Sequence, residues 1–362
     1  LYRESNDQIV SKAIRIFHYL LSIDSETIDS FIYIKNHLES DSLDVIASST
    51  PIIGYLFNSN YENAKKIIKD YNLIEIIYNI ARNPKNVTPC LNAMKLLRII
   101  TYNSINVEGN DNLIQPLNFQ QIIIEFKPFI TNTLSSITNE VLKLFQILSS
   151  NPEVLLLSIE VGFEKTIREA LGILPNEYMS NLYKIFRNIV YFAHEGQIRT
   201  RLTSYKFFFE KTADLIKSDI DENTFDVIIT TVDLLGLYFW RDLLELGVLD
   251  SILSIINTTN YANKKRICSL LLNIFKDAEV EFRREYCDEG IIEIFMNMLD
   301  DDESEFCIEL LDNLSFFLSS DPDYFRPMFE QFEYSQYLED LSQSSNQELA
   351  ELAQASLDDF IY

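Results

Sequence analysis

Glycine and proline are scarce in this chain, eight and nine in 362 residues. At about 2% each they fall far below the usual roughly 5–7%, so few turns use the common turn residues. The glycines stand at 54, 109, 162, 172, 196, 236, 247 and 290, with no two closer than ten residues. That spacing excludes a phosphate-cradling loop, which needs several glycines within a few positions for backbone N–H groups to approach phosphate. Histidine is as sparse: His18, His37 and His194 stand apart, and none forms HExxH. Cys90, Cys268, Cys287 and Cys307 are 19 or more residues apart with no CxxC. No metal site or cofactor is therefore expected, and the thiols read as small buried hydrophobes in a reducing compartment. Basic residues are few, 30 against 55 acidic for a net charge of −25, which argues against nucleic acid as a partner. A long apolar run is also missing: the best stretch, Val227 to Trp240, is short and contains Asp233, so no membrane span is expected. With no signal-peptide pattern at Leu1, the reading is a soluble protein of the cytoplasm, with the nucleus as the other address.

What is abundant is apolar and aromatic, 47% hydrophobic residues with 25 Phe and 19 Tyr, enough for a sizeable core and too much for disorder. Apolar residues recur at i, i+3, i+4 and i+7, as in Leu73, Ile76, Ile77, Ile80 and in Val141, Leu144, Phe145, Leu148. This is the period of amphipathic helices, so the fold class is all-α. Breakers punctuate the helical runs, among them Asn83 to Asn86, Asn151-Pro152, Asp219 to Asn223, Asn257 to Asn260 and Asp321-Pro322. Several put Asn, Asp or Ser before a helix, where the side chain accepts a bond from an unpaired first-turn N–H, or Pro early in it.

The runs repeat. A junction between two short helices recurs at Ser30, Asn72, Asn118, Gly162, Glu210, Gly247, Gly290 and Tyr334, at intervals averaging about 43 residues. A second anchor in the longer helix that follows falls at Leu56, Arg98, Gln146, Asn188, Gly236, Asn273, Asn313 and, less closely, Asp358. The two anchors stay 23 to 28 residues apart throughout. Each unit then reads as a short first helix, a junction, a second helix, a polar loop and a longer third helix. In the clearest one, Trp240 to Leu246 leads through Gly247 to Val248–Ile256, the loop 257–260 and Lys264–Phe275. A glycine at the junction lets the backbone turn sharply without a Cβ clash. About eight such units make one array over 1–362, with 1–24 a partial first unit whose lone helix, Ile9 to Leu21, needs cover from preceding sequence or a partner.

These residues resemble the armadillo repeat family. The likeness rests on Gly162, Gly247 and Gly290 before apolar second helices, and on third-helix endings such as Phe186-Arg187-Asn188-Ile189, Leu271-Leu272-Asn273-Ile274 and Asp312-Asn313-Leu314-Ser315. It implies a right-handed α-solenoid of three-helix repeats. Units one to three and five lack the junction glycine and the third-helix Asn, and a HEAT-like two-helix solenoid is the rival there. The resemblance also implies a concave groove lined by third helices, in which Asn188, Asn273 and Asn313 bond the backbone of an extended peptide. Gln146 holds the same position one unit earlier, and Lys184, Ser269 and Glu309 stand one turn before the asparagines, with Arg266 further back. The alternative is that these asparagines cap helix ends or face water. Import adaptors of the family place a Trp one turn before each groove Asn, and here those positions are Lys, Ser and Glu. The one tryptophan, Trp240, falls in a first helix and reads as core.

Charge is uneven along the chain. Residues 290–362 hold 18 Asp and Glu against one basic residue, Arg326, and so carry −17 of the net −25. Asp300, Asp301, Asp302, Glu303 and Glu305 form an acidic patch that is either a solubilising cap on the terminal units or a landing site for a basic segment. The resulting expectation is a non-catalytic interaction scaffold that binds an extended or basic protein segment, since nothing marks a nucleophile with its base. A diverged import adaptor and a regulatory cofactor of a chaperone or phosphatase are the alternatives. A small-molecule ligand is not expected.

Overall fold

The computed structural model describes residues 73–106, 119–132, 135–194, 205–218, 220–299 and 304–361. The partial unit 1–24, the junctions Ser30, Asn72 and Asn118, the anchor Leu56, and Asp300, Asp301, Asp302 and Glu303 of the acidic patch lie outside the described residues. The chain divides into two compact units, Leu1–Ser204 and Tyr205–Tyr362. Among the described residues all regular structure is helical.

In the N-terminal unit the helices are α1 (Leu73–Ala81), α2 (Val87–Asn106), α3 (Phe119–Phe126), α4 (Phe129–Asn132), α5 (Ser135–Ser149), α6 (Pro152–Glu160), α7 (Phe163–Ile173) and α8 (Met179–His194), with a 3-10 turn at Asn176–Tyr178 before α8. The long helices α2, α5 and α8 are the third helices of successive repeats, and α5 packs against both of the others. Their buried stripes follow the sequence period: on α5, Ile137, Val141, Leu144, Phe145 and Leu148 are all buried. Phe145 meets Phe163 of α7 edge to face, with ring centres 5.0 Å apart. Asn151 caps α6 as its position before Pro152 requires, accepting a bond from the Val154 N–H.

In the C-terminal unit the helices are α9 (Tyr205–Ile216), α10 (Glu222–Glu245), α11 (Val248–Ile255), α12 (Tyr261–Asp277), α13 (Val280–Tyr286), α14 (Glu289–Met298), α15 (Ser304–Ser320), α16 (Pro322–Gln331), α17 (Tyr334–Leu341) and α18 (Gln347–Ile361). Here α10, α12, α15 and α18 are the third helices, each packed on the next. The first helix expected at Trp240–Leu246 runs on from α10 through a kink at Phe239, which leaves helical backbone geometry. Gly236 sits in α10 where a Cβ would lie 3.1 Å from Ile274 of α12, so its lack of a side chain sets how closely these two helices approach. A line of aromatic rings joins the repeats, from Phe275 through Phe317, Phe325 and Phe329 to Tyr334 and Phe360, with neighbouring centres 4.9 to 6.4 Å apart. Each fully buried ring stabilises by about 1.5–3 kcal/mol through burial, and edge-to-face contact adds to that.

The junctions hold two corrections. Gly162 and Gly247 do adopt the left-handed backbone, with φ of 76° and 72°. Gly290 does not: α14 begins one residue earlier, at Glu289, capped by Asp288 through the Ile291 N–H, so Gly290 is an ordinary first-turn residue. In the next repeat the left-handed residue is Glu333, at φ 55°, just before Tyr334. Glu210, read as a junction, lies inside α9, because the helix starting at Tyr205 continues unbroken to Ile216.

Candidate functional site

Every third-helix anchor among the described residues falls in a third helix: Arg98 in α2, Gln146 in α5, Asn188 in α8, Gly236 in α10, Asn273 in α12, Asn313 in α15 and Asp358 in α18. The polar residues around these anchors bond from one repeat to the next and form seams along the third helices.

In the N-terminal unit, Asn188 donates through Nδ2 to the Gln146 carbonyl at 3.3 Å and to Ser149 Oγ at 3.0 Å, both on α5. Two turns earlier, Asn181 donates to Asn139 Oδ1 at 3.0 Å, again 42 residues away. The asparagine anchor is thus a rung between two third helices, with its amide N–H groups committed inside the protein. On the other side of α5, Arg98 Nε meets Glu140 Oε2 at 3.1 Å, while Lys143 Nζ meets the other oxygen of the same carboxylate at 3.2 Å. Glu140 is buried and answers both cations at once.

In the C-terminal unit the seam between α10 and α12 opens into a cavity of about 460 Å³. Its floor is Ile229 and Leu270, its rim Tyr261, and its polar lining includes Thr230, Asp233, Lys265, Arg266 and Ser269. Two expected site residues, Arg266 and Ser269, therefore come together in one cavity. Arg266 Nε pairs with Asp226 Oδ1 at 3.1 Å, and its Nη1 donates to Asn263 Oδ1 at 3.1 Å. The Lys265 ammonium lies 5.1 Å from the centre of the Phe306 ring. Asn273 donates to Asp233 Oδ1 at 3.1 Å. Burial pushes the Asp233 carboxyl above its ordinary range, and the Asn273 N–H only partly opposes this. Asp233 has no ion pair with a described residue.

The next seam, between α12 and α15, carries Ser269 Oγ donating to Glu309 Oε2 at 3.1 Å. Asn313 lies apart from this bond: it is buried, donates to its own Glu309 carbonyl at 2.8 Å and keeps a buried Oδ1 without a partner. Of the acidic patch, Glu305 alone is described, exposed in the first turn of α15. Trp240 is half-buried, 4.8 Å from the Phe282 ring with the Arg241 guanidinium 5.0 Å from its centre. All four cysteines are buried free thiols, and burial raises Cys90 to about 11 and Cys268 to about 12, which keeps them protonated and unreactive. Sequence reasoning missed Asp233, Asp226, Asn139 and Asn181. The signal was a polar residue recurring about 40 positions from a known anchor neighbour on a third helix.

No family model matches the sequence, and no curated protein matches it either. Solved structures do. An engineered protein from a structural genomics effort is similar over 99% of this chain and 97% of its own, with a TM-score of 0.64 at 14% identity. A designed armadillo repeat protein in complex with the peptide (KR)4 covers 67% of this chain and 99% of its own, with a TM-score of 0.55 at 16% identity. Computationally designed armadillo repeat proteins for modular peptide recognition align over 66% of this chain and 98% of theirs, with a TM-score of 0.54 at 17% identity. The fold is an armadillo-like α-solenoid. Within it, the polar seams are what an armadillo-like stack of third helices leaves at the surface once the apolar stripes are buried. Among the described residues no group of His, Cys, Asp and Glu could hold a metal ion, and no helix is long and apolar enough to cross a membrane.

Proposed function

We propose that this chain is a non-catalytic scaffold that holds an extended segment of another protein across its third helices, and that the C-terminal unit takes a basic segment. The observation that carries the reading is the cavity between α10 and α12. Both of its cations are already engaged, Arg266 with Asp226 and Lys265 over Phe306. Asp233 remains as a half-buried carboxylate whose hydrogen-bond partner among the described residues is the neutral amide of Asn273. A lysine or arginine side chain entering along the floor of Ile229 and Leu270 answers that charge, and its apolar stem covers the floor. Beyond the cavity the third helices turn acidic, with Glu305, Glu309 and Asp312 on α15 and Glu348, Glu351, Asp358 and Asp359 on α18. Ser269 and Thr230 line the same opening; their O–H groups donate to Glu309 and to the Asp226 carbonyl, and their oxygens are left to accept from peptide N–H groups. Designed proteins of similar fold bind peptides, one of them alternating Lys and Arg. The import-adaptor alternative gains nothing from the geometry, because Lys184, Ser269 and Glu309 occupy the positions that would need indoles.

The test is fluorescence anisotropy of labelled (Lys-Arg)4 with the full chain. Saturable binding is expected, weakened about 5- to 10-fold by Asp233→Asn, the equivalent of about 1–1.4 kcal/mol for a half-buried charge pair. Absence of binding, or binding that Asp233→Asn leaves unchanged, overturns the reading.

A further inference from the structure

The third helices of the two units carry opposite charge. In the C-terminal unit the run is acidic apart from α12, as described above. In the N-terminal unit α2, α5 and α8 hold five cations, Lys95, Arg98, Lys143, Lys184 and Arg187, against one carboxylate, Glu140. A protein of net charge −25 thus keeps a basic surface where its N-terminal repeats meet.

Four of the five cations share one face. Lys95, Lys143 and Lys184 lie three or four residues before the anchors Arg98, Gln146 and Asn188, and at 100° per residue that places each within about 60° of its anchor. The hydrogen bonds agree: Asn181 and Asn188 bond across to α5, and Lys184 lies between them on the same stripe. Lys143 occupies the matching place on α5, between Asn139 and Gln146. The single carboxylate is already taken by two cations, as Arg98 and Lys143 both bind Glu140. Lys95 and Lys184 have no ion pair among the described residues. One turn past the anchors, the same face exposes two rings, Tyr102 at 54% and Tyr191 at 50%.

We infer, resting on the reading of the chain as a scaffold for extended segments, that this face binds an acidic, proline-containing extended segment of a partner protein, with one carboxylate per repeat. Packed helices stand about 8–10 Å apart, so the cations recur at about that interval. A polyproline-type segment repeats every three residues at about 3.1 Å each, or about 9 Å, and so brings every third side chain to the next cation. Exposed aromatic rings are the surface on which such segments dock, and Tyr102 and Tyr191 supply them. The phosphates of nucleic acid are spaced more closely than these cations.

The probe is a labelled (Glu-Pro-Ala)4 peptide titrated into the full chain, beside an isomer of equal composition with its four Glu contiguous. The spaced peptide is expected to bind, to bind at least 5-fold more tightly than the isomer, and to weaken with salt. Lys143→Gln with Lys184→Gln should weaken it at least 10-fold, while Lys264→Gln with Lys276→Gln, on α12 and outside the cavity, should leave it unchanged. Affinity for (Lys-Arg)4 and the helical circular dichroism serve as folding controls and should not move in the Lys143/Lys184 variant. Failure of the spaced peptide to bind, equal binding of the isomer, or an unchanged affinity in the Lys143/Lys184 variant overturns the inference. Tighter binding of a single-stranded oligonucleotide at the same lysines also overturns it. Because these readouts use acidic probes and the N-terminal unit, they fail or succeed separately from the Asp233 test.

Discussion

The repeat junctions make opposite predictions for residues that look equivalent in the sequence. Gly247 holds φ 72° and nothing lies within 4 Å of where a Cβ would stand, so Gly247→Ala meets no neighbour. Its cost is the left-handed backbone itself, about 1–2 kcal/mol for an L-residue. Gly290 is an ordinary first-turn residue whose Cβ would meet only the Asp288 Oδ1 at 3.4 Å. Alanine there restricts the unfolded chain and suits a helix, a gain of up to about 1 kcal/mol. At Glu333, φ 55° already carries the left-handed strain, so Glu333→Gly should stabilise by about 0.5–1 kcal/mol. Urea unfolding followed by circular dichroism separates these cases. With a slope of about 3 kcal/mol per M, Gly247→Ala lowers the midpoint by about 0.3–0.7 M while the other two hold or raise it. If Gly290→Ala falls as far as Gly247→Ala, the distinction between the two junctions is wrong.

The two other predictions concern the seams. Asp233 has a folded-state pKa above its unfolded value, so its charged form costs stability at neutral pH and that cost disappears as pH falls through the folded value. Asp233→Asn should therefore melt higher than the parent at pH 7, with the gain gone below the ordinary carboxylate value of about 3.9; an equal gain at both pH values refutes it. Asn188→Ala removes the bonds to Gln146 and Ser149 and should cost about 1–2 kcal/mol in urea unfolding, whereas a side chain waiting only for a peptide would cost nothing.

Much of the repeat plan is legible without coordinates. Asn151, Asp221 and Asn260 cap helices at breakers visible in the sequence, each accepting a bond from an N–H three residues on. The seven described third-helix anchors all land in third helices, because a 3.6-residue apolar stripe is a local property that survives packing. The junctions were less legible. Glycine marks the turn at Gly162 and Gly247, yet Gly290 extends a helix and Glu333 turns the next junction, since a cap one residue earlier can move the start of a helix. Asn188, Asn273 and Asn313 lie in long helices, as the period predicts, but the period does not name their partners. Asn188 and Asn273 bond residues 39 to 42 positions back on a neighbouring third helix, a pairing that exists only after stacking.

The sequence by itself determined the helical class, the repeat of about 43 residues, the lack of any phosphate-binding loop and the burial of the cysteines. Each of these follows from composition or from a period set by the backbone of a single helix. Tertiary structure decided which polar groups are spent on one another inside the protein and which stay open at its surface. It tied Arg98 and Lys143 to one carboxylate, left Asp233 in a cavity facing an amide, and gathered four cations on one face of a chain whose net charge is −25. Net charge sums over the whole chain, but recognition depends on the few charges that stacking brings within a Debye length of each other.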